Sequence, residues 1–154
     1  MKTVQWFVLL LFLSALPAYG QLPSKVKKMA GTWEYKQGSG FESWELQGNE
    51  LIGHAFRVNV KTGDTSKVED MTIRKPSKHL VYVIETINYV DDSLMIRAQN
   101  FIADRKKMKF YNMTGQTPHA IEYSFGFFSK KKLKLKIYHG PFDKPLKLVL
   151  FKVI

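Results

Sequence analysis

Two glutamates stand where apolar side chains are expected. In "FESWEL", Phe41 to Leu46, Glu42 shares its alternation with Trp44 and Leu46; in "EDMTI", Glu69 to Ile73, Glu69 shares its alternation with Met71 and Ile73. A carboxylate among apolar neighbours is costly to bury unless it is paired or hydrogen-bonded. Each is therefore either half of a structural ion pair, with Arg57, Arg74 or Arg97 as candidate partners, or a polar handle for a bound molecule.

Other chemistries find less support. The chain has no cysteine, so it offers neither a thiol nucleophile nor a thiolate metal site. His54, His79, His119 and His139 are scattered, without the H-x-H, H-x-x-H or H-E-x-x-H spacing of a zinc site. A lone histidine on a barrel strand can ligate haem iron. His54 and His119 are the candidates, and a hydrogen-bonded or exposed ring is the simpler role for both. No G-x-S-x-G elbow or phosphate loop is present; Gly38-Ser39-Gly40 reads as a hairpin turn, and Asp91-Asp92 as turn formers. The expectation is a protein that is not an enzyme and carries no metal or cofactor.

The elements that position the two glutamates follow from period-two patterning. In "KKKLKLKIYHG", Lys130 to Gly140, Leu133, Leu135 and Ile137 alternate with Lys132, Lys134 and Lys136, one apolar face and one in water. Similar segments run over 32–37, 41–47, 50–60, 67–74, 79–87, 94–101, 107–113, 119–127, 133–139 and 146–154, separated by Gly, Pro, Asp and Ser turns. In the third, Ile52, Phe56, Val58 and Val60 are placed on one face, with His54 among them. Ser24 to Met29 reads as a short helical turn. Short loops between sequential strands favour a meander, and closure removes its sticky edges. The expected fold is all-β, an antiparallel up-and-down barrel of eight to ten strands.

Gly31-Thr32-Trp33-Glu34, Phe41-Glu42-Ser43-Trp44, Leu51-Ile52-Gly53, and then Phe110, Asn112, Pro118, Ile121 and Tyr123 recur in this order in a known group of domains. The chain resembles a family of uncharacterised, mostly bacterial, exported domains of lipocalin-like (calycin) type. The resemblance spans most of residues 21–154. It implies a barrel of the lipocalin and fatty-acid-binding shape, in which Trp33 plugs one end. Where the family carries an acidic residue, His-Asp and Phe, this chain has Met113-Thr114-Gly115-Gln116-Thr117, so any chemistry of that His-Asp pair is absent.

The amino terminus reads as an export signal. Lys2 precedes an almost wholly apolar run, Val4 to Leu16, and Ala18 and Gly20 place small residues before Gln21. Residues 1–20 are thus expected to be a signal peptide and 21–154 a single domain, secreted or periplasmic and monomeric, with no membrane span. The formal charge is +11, clustered at Lys25, Lys27 and Lys28, at Arg105 to Lys109, and at Lys130 to Lys136. Such clusters suit an anionic surface or polymer; the alternation in the third favours simple solvation. Nucleic acid is not an expected partner. Asn112-Met113-Thr114 matches a glycosylation sequon.

The leading expectation is a barrel holding a small, mostly apolar molecule. Trp33, Trp44, Phe56, Met71, Tyr82, Phe110 and Tyr123 would line or pack the interior, and Glu42 and Glu69 would be its polar handles. The alternative is an interaction module that uses its lysine-rich exterior.

Overall fold

The computed structural model describes residues 20–90, 93–103, 108–127 and 129–153. The expected signal peptide lies outside them, as do Asp91-Asp92 and the Arg105–Lys107 part of the second basic cluster. One short helix, α1 (Ser24–Lys27), precedes ten strands: β1 (Gly31–Tyr35), β2 (Gly40–Gln47), β3 (Glu50–Val58), β4 (Thr65–Arg74), β5 (Val81–Val90), β6 (Ser93–Ala103), β7 (Lys109–Asn112), β8 (Ala120–Gly126), β9 (Ser129–Tyr138) and β10 (Leu146–Lys152).

Each strand pairs antiparallel with the next, and β1 closes on β10, making a closed barrel. The expected architecture is therefore the observed one. Closure gives every strand two neighbours, so neither β1 nor β10 is left as a free edge.

The alternation decides which wall each residue joins. On β9, Leu133 and Leu135 are buried while Lys134 is exposed. Their β10 partners, Leu150 and Leu148, continue the inner wall across the closing seam. Gly38, at φ 67°, lets the β1–β2 chain reverse, its amide donating to the Tyr35 carbonyl at 2.8 Å.

The two barrel ends differ. α1 leads into β1 at one end, and Leu22, Val26 and Met29 from this segment are buried there. Trp33 is fully buried beneath them, donating its indole N–H to the Met29 carbonyl at 2.6 Å, with the Phe125 ring 6.0 Å away. The opposite end carries the β1–β2, β3–β4, β7–β8 and β9–β10 connections, forming a rim.

The alternation of β3 is a correction. The inward residues are Leu51, Gly53 and Ala55, not Ile52, Phe56 and Val58, and Val60 lies beyond the end of β3, exposed. The lack of a side chain at Gly53 follows from what faces it: a Cβ added there would lie 2.5 Å from Trp44 Cε3. The inner wall is thin here because the indole of Trp44 occupies the space. The bulkier residues of β3 face outward, where Phe56 stacks on its register partner Phe41 at 4.6 Å.

Candidate functional site

Register brings the two glutamates together inside the barrel. Glu42 on β2 pairs with Ala55 on β3, and Ala55 pairs with Glu69 on β4, so all three project from the same inner wall. Glu42 is 2% exposed. Tyr35 Oη donates to its Oε1 at 2.8 Å and Trp44 Nε1 to its Oε2 at 2.9 Å; Tyr123 Oη lies 3.4 and 3.3 Å from the two oxygens. Tyr82 extends the network, donating to Met71 Sδ at 3.0 Å and meeting Tyr123 Oη at 3.4 Å.

These partners answer the first question raised by the sequence. Among the described residues, Glu42 is satisfied by three uncharged donors and forms no ion pair. Burial raises its pKa, and the hydrogen bonds from Trp44, Tyr35 and Tyr123 act in the opposite direction by favouring the ionised form. Glu69 is pushed up to about 7, by burial first and then by the nearby charge of Glu42, against the pull of Arg57. Tyr35, Tyr82 and Tyr123 are all held above the ordinary phenol range, by burial first and then by Glu42. Arg57 is thus the expected arginine that acts on Glu69. Arg74 pairs with Glu50 in backbone register at the far end of β4, away from Glu42. The side chain of Arg97 lies outside the described residues.

Between this cluster and the rim is a cavity of about 430 Å³. Val68, Ile84, Ile121, Leu135 and Ile137 wall it; Tyr35, Glu42, Tyr82 and Tyr123 form its base; Ser39, Arg57, Val58 and Pro118 stand toward the rim. A volume of a few hundred Å³, apolar walls and a few convergent polar groups are the usual features of a small-molecule site.

Five of the nine residues singled out in the sequence border this cavity: Glu42, Phe56, Glu69, Tyr82 and Tyr123. Phe56 does so from the wall strand whose outer face carries its ring. The other four, Trp33, Trp44, Met71 and Phe110, are packed core. Trp44 lies 6.1 Å from Tyr123, and Phe110 lies 5.0 Å from Tyr82, measured between ring centres, so both back the phenols that form the base.

Tyr35, Leu135, Ile137 and Gln99 are among the lining residues that the sequence does not mark as a site. Tyr35 shares the face of Trp33, which is a legible signal. Leu135 and Ile137 alternate with lysines and were expected inside, though as core. Gln99 has no such signal: it is buried and donates to the Thr117 carbonyl at 3.0 Å, tying β6 to the β7–β8 loop.

That loop is organised by Asn112. Its Nδ2 donates to the carbonyls of Gln116 and Pro118, both at 3.1 Å, and its Oδ1 accepts from Thr114 N at 2.9 Å and Thr114 Oγ1 at 2.8 Å. Asn112 is only 9% exposed, so the sequon's asparagine is committed to the loop rather than presented for modification.

The histidines sit apart from the cavity. His54 is on the outer face of β3, its Nδ1 2.5 Å from Asp70 Oδ1, and Lys67 pairs with the same carboxylate. His119 packs its ring edge-on to Tyr111. Among the described residues, no three His, Asp or Glu side chains are grouped to hold a metal ion. No helix among them is long and apolar enough to cross a membrane.

Comparison with protein-family models, with curated proteins and with solved structures finds no match to this chain.

Proposed function

We propose that the protein is an exported, monomeric, non-catalytic carrier or receptor of a small, mostly apolar molecule, held inside the barrel with no cofactor. The cavity above Glu42 is the observation that carries this reading. Its walls are aliphatic and its base offers a carboxylate ringed by phenols, so a suitable ligand has an apolar body and one hydrogen-bond donor. Glu69, further round the same wall, is a second acceptor. Catalysis would need a nucleophile or a general base poised beside a bound substrate, and Glu42 is instead tied down by three donors. The resemblance to exported lipocalin-like domains supports the same reading, as does the signal-like amino terminus.

The test uses N-phenyl-1-naphthylamine, an apolar fluorescent probe with one N–H donor. It should bind saturably to the folded chain, with an affinity that hardly changes between about 0.05 and 0.5 M salt, because interior apolar contact is not screened. Glu42→Gln should weaken binding about tenfold, the scale of a lost hydrogen bond to a charged group, while the near-ultraviolet spectrum stays native. Ile137→Trp, which fills space beneath the rim, should abolish it. Unchanged binding in both variants would remove the interior site.

A further inference from the structure

Lysines that are far apart in sequence converge at the end opposite the rim. A second cleft, of about 810 Å³, opens there beside α1. Lys25, Lys27 and Lys28 approach it from α1 and its carboxyl end, Lys130 from the start of β9, and Lys152 from the end of β10. Among the described residues that line it, Glu122 is the one acid, and that carboxylate is already taken by Lys136 at 3.3 Å and Tyr138 at 2.8 Å. Ala30, Met108 and Phe125 are the apolar residues of its lining, and the Lys152 ammonium donates to the Ala30 carbonyl at 3.0 Å. On the adjoining β8–β9 turn, Phe127 is 92% exposed.

A lysine-lined recess with apolar residues in its lining and an aromatic side chain beside it is complementary to a layer of anionic headgroups above acyl chains. The geometry points to this end of the barrel as a docking surface for an anionic lipid bilayer, with Phe127 entering the interface and the lysines meeting the headgroups. Solvation alone accounts for the lysines that alternate outward along β9. It does not account for three separate chain segments delivering lysines to one recess. Docking in this way leaves the rim of the interior cavity facing away from the membrane. The two hollows share Tyr123 in their linings, but the inference rests on the lysines and Phe127, none of which borders the interior cavity, and does not depend on that site.

The experiment is co-sedimentation of the full chain with phosphatidylcholine vesicles, with and without phosphatidylglycerol. Binding should require phosphatidylglycerol and fall steeply between about 0.05 and 0.5 M salt. Each ammonium near an anionic leaflet contributes roughly a fivefold factor, so Lys25→Gln/Lys27→Gln/Lys28→Gln should weaken binding by about a hundredfold. Removing the same charge at the rim end, with Lys36→Gln/Lys61→Gln/Lys144→Gln, should weaken it by less than about fivefold. Phe127→Ser should lower the binding that survives at high salt. All these side chains but Phe127 are lysines on the surface, and circular dichroism checks that each variant is folded. Equal losses in the two triple variants would show attraction by net charge alone and overturn the docking surface. So would binding to heparin, or to monomeric lysophosphatidylglycerol, without binding to vesicles.

Discussion

The two ends of this barrel use aromatic side chains in opposite ways. At the α1 end, Trp33 is sealed between Met29 and Phe125, with its only polar atom bonded to a backbone carbonyl. Above it, Tyr35, Tyr82 and Tyr123 also bury their rings, but they turn their hydroxyls toward one carboxylate and one another and leave about 430 Å³ open on the rim side. Trp33 and its neighbours are finished as a core, although a cleft of about 810 Å³ opens beside α1 at the same end. The other end is polar at its base and hollow above it, an arrangement that stability alone does not require.

The largest expected effect lies at the sealed end. Trp33→Ala removes a fully buried ring from a site with little freedom to collapse, and should cost about 3–5 kcal/mol in urea unfolding. Ile137→Ala at the hollow end should cost only about 1 kcal/mol, because the lost methyl groups already border open space and no new cavity is made. Equal losses would mean that the hollow end is as tightly packed as the sealed one.

Next is Gly53→Val. Its side chain must enter the volume of the Trp44 ring, and overpacking of this kind should cost about 1–3 kcal/mol and alter the near-ultraviolet signal of Trp44. A neutral result would mean that the indole is free to move aside.

The hollow end should also leave a pH signature. Glu69 has a folded-state pKa raised from 4.5 to about 7, so between these values the folded chain binds more protons than the unfolded one. Its contribution to stability is fully present below about pH 4.5 and is lost as pH rises through about 7. Glu42, also raised, acts with the same sign. Glu69→Gln should therefore gain stability relative to the parent as pH rises from 5 to 8, roughly the span of that titration, as read from urea midpoints. A difference that does not change with pH would place Glu69 in water. The smallest effect is that of Lys134→Gln on the outer wall, which should stay within about 0.5 kcal/mol.

Much of this architecture is legible in the sequence, for a physical reason. Strands with one wet and one dry face must alternate, and the lysines of β9 make that alternation plain, as do Glu69, Met71 and Ile73 on β4. β3 misleads because its inner face carries Gly53 and Ala55 where Trp44 takes the space, while two aromatic residues, Phe41 and Phe56, stack outside. The convergence of donors on Glu42 is not legible at all. Tyr123 lies 81 residues from Glu42 in sequence, and only closure of the barrel brings them together. The same holds for the basic cleft, whose lysines belong to unconnected stretches of the chain.

Native mass spectrometry of the folded protein after incubation with N-phenyl-1-naphthylamine, alone and in competition with fatty alcohols, addresses the interior site most directly. The account predicts one small molecule retained per chain, displaced by the alcohols, released on unfolding in acid and lost in the Ile137→Trp variant. A bare chain under every condition, or several molecules adhering without a defined stoichiometry, would contradict it.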